Sequence, residues 1–561
     1  MSVLLDIKNL TVSLPHGGER GYAVRNLTLQ VPRGKTVCVV GESGSGKSVM
    51  ANAVMRLLPA HSLRLDSGEI VLDGLSLLSL DPLEMRAIRG ARIGMIFQEP
   101  MTSLNPVMPV GEQIDEVLLV HGVKDPAQRA RRVLELLRDM KLPQPEQIKD
   151  RYPFQLSGGQ RQRILIAMAM AMEPQLLIAD EPTTALDATT QAQILLLIKE
   201  LQERHGIGVL FITHDFGVVA DIADHVVVMR HGEVVEQGSA QDVLGQPQHE
   251  YTQGLLAAVP RLNVDPGAAP VRAAAPLLQI RDLCKTYPAR GGLFNSGKRT
   301  VALDHINLDI LPGETVGLVG ESGSGKTTLG QCVVRLLAAD SGELLFDGQP
   351  LHALKGRELQ RMRPQIQMVF QDPFASLNPR HRVERIITEN LILTGVSRKE
   401  ARARMREVLQ LVGMNPDTAP LRYPHEFSGG QRQRIGIARA IVMRPKLLVA
   451  DEAVSALDVS VQQQVLTLLR DVRRELGLAM LFVTHDLRVA SQICDRIAVM
   501  NKGQLVELGS VYDIATRPQH RYTQELFDAM PGREWAEPAP AVTASGVGGV
   551  GGPAFKMAAF A

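Results

Sequence analysis

The chain has 561 residues, 45% hydrophobic and 22% charged, the make-up of a globular protein with length for two to four full-sized cores. Its 61 basic and 60 acidic residues leave a net charge of +1, so bulk electrostatics gives no case for nucleic acid or an anionic membrane as partner. Four isolated cysteines (Cys38, Cys284, Cys332, Cys494) form no CxxC pair, which argues against a disulfide framework, a zinc site or an iron–sulfur cluster and fits a reducing compartment.

The N-terminus, "MSVLLDIKNL", reaches Asp6 without a basic stretch followed by an apolar one and does not read as a secretory signal. The run "TVCVV" (36–40) reads as a buried parallel strand. It feeds "GESGSGKS": Gly41, Glu42, Ser43, Gly44, Ser45, Gly46, Lys47 and Ser48. Strand, then GxxxxGK[ST], then helix is a phosphate-binding loop. The glycines let backbone N–H groups turn onto phosphate oxygens at a helix N-terminus. Lys47 would neutralise the β- and γ-phosphates, and Ser48 would ligate Mg²⁺. The run "IGMIFQ" closes on Gln98, whose amide is placed to reach Mg²⁺ or water. "LSGGQRQR" (156–163) puts Ser157, Gly158, Gly159 and Gln160 before a long helical stretch, a second anion site at a helix N-terminus. The most apolar run, "ILIAMAMAM" (164–172), lies between Arg163 and Glu173 and is far short of the roughly 20 residues of a membrane span, so it reads as a core helix. "LLIADE" ends a strand with Asp180, an Mg²⁺ carboxylate, and Glu181, a general base for the attacking water. "FITH" closes on His214, in reach of the γ-phosphate or of the base.

The whole series then repeats. "GESGSGKT" supplies Gly320, Glu321, Ser322, Gly323, Ser324, Gly325, Lys326 and Thr327, 279 positions after the first loop. Gln371 matches Gln98. Ser428, Gly429, Gly430 and Gln431, the pair Asp451 and Glu452, and His485 recur 271 positions after their counterparts, as does "YTQ" of 251–253 at 522–524. The chain is therefore a duplication of one unit of roughly 260 residues, too long a period for a solenoid. Residues 1–262 and 276–533 read as the two domains, and 263–275, rich in Pro and Ala, as a linker. The tail 534–561, ending "SGVGGVGGPAFKMAAFA", is low-complexity and reads as disordered.

"LSGGQ" (156–160) and its counterpart "FSGGQ" (427–431), each downstream of a phosphate loop, resemble the signature of the ATP-binding-cassette proteins, and the resemblance covers nearly the whole chain. The resemblance implies two α/β domains, each with a mainly parallel sheet, an antiparallel β subdomain containing the N-terminal strands, and a helical insertion at about 99–165 and 372–436. It implies two ATP molecules held head to tail, Lys47 sharing one with Ser428 and Lys326 sharing one with Ser157. Ala185-Leu186-Asp187 and Ala456-Leu457-Asp458 resemble the loops that signal between such sites. "FQEPMTSLNP" (97–106), "FQDPFASLNP" (370–379), "QHEYTQGLLAAVP" (248–260) and "QHRYTQELFDAMP" (519–531) are similar to the peptide, opine and nickel import subfamily, and most similar to the ATP-binding subunits of glutathione and dipeptide importers. That implies an ATPase on the cytoplasmic face of the inner membrane. Its partners would be two integral-membrane permeases and an extracytoplasmic substrate-binding protein, with ATP and Mg²⁺ as cofactors, and with neither nucleic acid nor direct membrane insertion. Some subfamily members carry a cysteine cluster after the C-terminal motif; this chain has none there, so no iron–sulfur centre is expected. The competing reading is a tandem-cassette translation factor acting on ribosomes, a class that usually has a long charged linker. One departure stands out. The family's adenine-stacking aromatic matches Tyr287 in the second copy but Leu14 in the first, so stacking there is either weakened or supplied by another group, Tyr22 the first candidate.

Overall fold

The computed structural model describes residues 2–15, 20–59, 61–98, 100–184, 186–262, 275–288, 299–372, 375–455, 457–533 and 535. Ala185, Ala456, the linker apart from its last residue, and the tail apart from Trp535 lie outside these. The described strands of the first half are β1 (Val3–Ser13), β2 (Tyr22–Pro32), β3 (Thr36–Val40), β4 (Arg64–Leu72), β5 (Leu75–Ser76), β6 (Ile93–Ile96), β7 (Leu176–Asp180), β8 (Gly208–Ile212), β9 (His225–Arg230) and β10 (Glu233–Ser239). Those of the second are β11 (Leu278–Tyr287), β12 (Thr300–Ile310), β13 (Thr315–Val319), β14 (Ser341–Phe346), β15 (Gln349–Pro350), β16 (Ile366–Val369), β17 (Leu447–Asp451), β18 (Ala479–Thr484), β19 (Arg496–Asn501) and β20 (Gln504–Ser510).

Each half holds two sheets. The core sheet has the order β10-β9-β3-β8-β7-β6, parallel except for the β9–β10 pair. Every residue of β3, β7 and β8 is buried, as a central strand covered on both faces requires. Alternation then divides the side chains: Leu177 and Ala179 join the cluster on the helical side, while Leu176 and Ile178 join the cluster under the second sheet. That second sheet, β2-β1-β4-β5, is antiparallel throughout. The second half repeats both orders.

Between β6 and β7 the chain builds the expected insertion, with helices Val110–Val120 and Pro126–Asp139, before the helix Gly158–Met170 returns to the sheet. The run at 164–172 lies in that last helix and its C-terminal end, with Ile164, Leu165, Ile166 and Met170 packed in the core. Among the described residues no helix is long and apolar enough to cross a membrane. After the core sheet each half ends in a helix, Glu250–Ala258 and Arg521–Asp528. Trp535, placed by its sequence at the start of the tail, instead packs against the hydrophobic core of the first half.

Candidate active site

Each phosphate loop hangs between a buried strand and a helix that begins at the lysine. The residue before it, Gly46 or Gly325, sits at φ 102° or 106°, in the left-handed region. A Cβ there would come within 2.5 Å of the Ala23 carbonyl or 2.3 Å of the Ala302 carbonyl, so only glycine closes this turn. Lys47 and Lys326 are 6% and 4% exposed. Their ammonium groups donate to the carbonyls of Gly41 (2.7 Å) and Glu42 (2.9 Å), and of Gly320 (2.7 Å) and Glu321 (2.8 Å). Burial holds each lysine below its usual pKa, against the opposing pull of the surrounding carboxylates, Glu181 and Glu452 first among them. In the second loop the Ser324 hydroxyl is buried without a hydrogen-bond partner, a donor left for an anionic ligand.

The strand ends bring the remaining groups together. The Ser48 hydroxyl donates to Asp180 at 3.0 Å and that of Thr327 to Asp451 at 3.2 Å. Burial raises both aspartates, with the neighbouring glutamate adding to the effect, and Asp451 is pushed up to about 6. Glu181 and Glu452 stand at φ 48° and 44°, backbone strain that non-glycine residues adopt where the surroundings enforce it. Here the enforcement is visible: the Glu181 N–H donates to the Ile212 carbonyl and the Glu452 N–H to that of Val483, both at 2.9 Å. Gln98 donates to the Glu181 carboxylate at 3.0 Å and Gln371 to that of Glu452 at 2.6 Å. The other oxygens face His214 Nδ1 at 3.3 Å and His485 Nδ1 at 3.6 Å. Burial alone would raise the Glu181 carboxyl, but its bond to His214 and the charges of His214 and Lys47 outweigh this and hold it at about 2. Burial likewise opposes charge on His214, and Glu181 overrides it to raise the imidazole. The product is an ionised carboxylate, fixed at both oxygens, at the edge of a phosphate site. Such a group can orient and polarise an attacking water.

Ser157 and Ser428 cap the helices Gly158–Met170 and Gly429–Ile441, accepting from the N–H groups of Gln160 and Gln431, whose side chains accept from the serine N–H groups in return. Gly159 and Gly430 serve packing as well as exposing amides. A Cβ on them would meet Thr190 Cγ2 at 2.4 Å and Val461 Cγ1 at 2.3 Å.

The two halves meet at these sites. Ser43 N–H donates to Asp458 Oδ1 at 2.9 Å, and in the other direction the Ser322 backbone faces Asp187 and helps to hold its carboxyl below the usual range. Ser460 donates to the Glu42 carboxylate and Thr189 to that of Glu321. A cavity of about 600 Å³ beside Lys326 and Thr327 is lined from the first half by Thr184, Leu186 and Asp187. Its size suits a nucleotide. Gly429, from the same half as the lysine, also lines it; Ser157–Gln160 do not reach it in this structure. Tyr287 and Val301 form its wall on the antiparallel sheet. Register places Thr286 opposite Val301, and Ser13 opposite Tyr22. Tyr22 therefore holds the position of Val301, as Leu14 holds that of Tyr287, and the aromatic has changed strands between the halves.

Sequence reading missed one pair of contacts. The hydroxyls of Tyr251 and Tyr522 accept the N–H groups of Glu42 (3.2 Å) and Glu321 (3.0 Å) in the phosphate loops. The recurrence of "YTQ" was the available signal.

The chain resembles known proteins over most of its length. The model of the ABC transporter family matches residues 24–184 and 303–455, and that of the oligopeptide/dipeptide transporter C-terminal region matches 235–285 and 506–541. The glutathione import ATP-binding protein GsiA of Pectobacterium atrosepticum is 48% identical over 559 residues, covering 94% of this chain and 89% of its own. GsiA of Escherichia coli K12 is 46% identical with the same coverage. Among solved structures, cbiO1 of Clostridium perfringens is 27% identical over 46% of this chain and 94% of its own, with a TM-score of 0.39. The cassette MJ0796 bound to ADP and Pi is 33% identical over 42% and 99%, with a TM-score of 0.38. With its doubled ATPase machinery and two matches to each family model, the chain belongs to the ATP-binding proteins of ABC transporters.

Proposed function

We propose that this ATPase powers import of a small peptide (a dipeptide, an oligopeptide or glutathione) through two membrane permeases fed by an extracytoplasmic binding protein. The observation that carries the reading is that both cassettes continue into the C-terminal region of the oligopeptide/dipeptide class, in a chain whose relatives named for glutathione import span 94% of it. The same match argues against a ribosome-bound translation factor. The chain would sit at the cytoplasmic face of the inner membrane, held there by its permeases.

Two ATP molecules would lie head to tail, Lys47 opposite Ser428 and Lys326 opposite Ser157. Asp187 and Asp458 already reach the opposing loops, which supports that pairing, and a closing motion would bring the signatures in. Glu181 and Glu452 would act as bases, with Gln98, Gln371, His214 and His485 orienting them. Ser48 with Asp180, and Thr327 with Asp451, joined by the two glutamine amides, offer the all-oxygen donor set that Mg²⁺ takes. Mg²⁺ would neutralise developing phosphate charge.

Permeases would dock beside Gln98 and Gln371. In the second cassette a cavity of about 470 Å³ there is lined by Phe370, His381, Glu389 and Arg439. Arg380, His381 and Arg382 stand where the first cassette has Val107, Met108 and Pro109, which favours two different permeases.

The test is ATPase activity of the complex reconstituted with its permeases and binding protein, against a panel of peptides, glutathione and Ni²⁺. Stimulation by a peptide or glutathione is expected. Stimulation by Ni²⁺ alone, or purification with ribosomes in place of permeases, would overturn the reading.

A further inference from the structure

The C-terminal motif is built residue by residue. In "PQHEYTQ" the N–H groups of Gln248 and His249 donate to the Glu236 carboxylate on β10, at 2.7 and 3.2 Å. His249 Nδ1 then caps the helix by accepting the Tyr251 N–H at 3.0 Å, and Gln253 ties back to the Pro247 carbonyl at 2.9 Å. The second copy repeats every contact with Glu507, His520, Tyr522 and Gln524. The effect is to aim one phenol at a phosphate loop.

That phenol meets a residue with two tasks. The Tyr251 hydroxyl accepts the Glu42 N–H at 3.2 Å. The Glu42 carboxylate accepts the Ser460 hydroxyl of the opposite cassette. Tyr522, Glu321 and Thr189 form the mirror-image chain. The C-terminal helices themselves pack on the opposing cassette, Glu250–Ala258 against the helix Val459–Leu476 and Arg521–Asp528 against Ala188–His205. The segments that follow also cross over. Leu262 packs on the second cassette's cluster, and Gly532 N–H donates to both Asp221 oxygens at 3.0 Å.

We infer that Tyr251 and Tyr522 are positioning residues that hold Glu42 and Glu321 toward the opposite cassette, so that the C-terminal region sets how readily the two cassettes engage around ATP. They touch neither the reacting phosphate nor the base. Their influence therefore falls on the nucleotide concentration needed for engagement and leaves the chemical step alone.

The test uses the full chain. Tyr251→Phe with Tyr522→Phe removes both hydroxyls and keeps the rings, including the face of Tyr251 on which Arg230 lies at 4.8 Å. KM for ATP should rise about three- to tenfold, the worth of an ordinary hydrogen bond, while kcat at saturation stays within about twofold. Ser460→Ala with Thr189→Ala should raise KM similarly, and all four changes together should add little, because they cut one path. Amide exchange across residues 41–48 should quicken in the tyrosine variant. An unchanged KM, or effects of the two pairs that multiply, would overturn the inference. So would unchanged exchange, which reads the loop directly and needs no turnover. A variant with a lowered thermal midpoint and an unchanged KM would show an ordinary packing role.

Discussion

The two nucleotide sites are alike at the phosphate end and different at the base end. Lysine, hydroxyl, aspartate, glutamate, glutamine and histidine occupy the same positions with distances that agree within about half an ångström. The walls on the antiparallel sheet, where a base would lie, are not alike: one offers Tyr287 beside Val301, the other Leu14 beside Tyr22. Charge explains the contrast. A misplaced donor near a phosphate loses a charge-assisted bond, whereas a flat ring serves a base from either of two neighbouring strands.

The largest test of the likeness is at the bases. Glu181→Gln together with Glu452→Gln should lower assembled ATPase by about 10²–10⁴-fold with ATP binding retained. Either change alone should lower turnover, and by the same factor. A single substitution that left activity and transport untouched would break the equivalence of the sites.

The difference is tested at the walls, with each cassette expressed separately. Tyr22→Ala should weaken ATP binding to the first and Tyr287→Ala to the second, each by about tenfold, since stacking on an aromatic contributes roughly 1–3 kcal/mol. Leu14→Tyr should change little, because the first wall already has its ring. If Tyr22→Ala has no effect and Leu14→Tyr tightens binding, the first site lacks a stack and is the weaker one.

The smallest effect concerns pH. His214 is raised above its ordinary 6.5, so its contribution to stability is complete below 6.5 and lost as pH rises through the higher folded value. Glu181 is lowered from 4.5 to about 2, so its contribution is complete above 4.5 and lost as pH falls toward 2. The pair therefore contributes most between pH 4.5 and 6.5. His214→Gln should cost a few degrees of melting temperature there, about 2–4 °C per kcal/mol for a domain of this size, and less above that window. A cost independent of pH would mean the histidine acts through packing.

What was legible in the sequence was local. A strand, a glycine turn and a lysine specify their chemistry within a dozen residues, and the second copy checks the first. The contacts that escaped join distant positions: Tyr251 to Glu42, 209 residues apart, and Asp458 to Ser43, 415 apart. Nothing near either residue announces its partner, which depends on how the sheet returns the chain and how the halves face. Leu14 shows a related limit. Matching residue to residue along one strand leaves Tyr22 only a candidate, and the register of β1 with β2 is what places that ring beside Leu14, opposite Ser13.

The close approach at Gly159 has a mechanical consequence. With no room for even a Cβ at Gly159, the signature helix packs directly on the helix Ala188–His205, whose cap, Asp187, faces Ser322 of the other half. Signature and cap are therefore in direct contact, and the cap lies against the opposite phosphate loop. The second cassette keeps the packing, with Gly430 against Val461, but Asp458 accepts from Ser43 of the opposite phosphate loop and leaves its own helix uncapped. A push on either signature helix would therefore have a short route to the opposite phosphate loop, through the packed glycine and the aspartate beyond it.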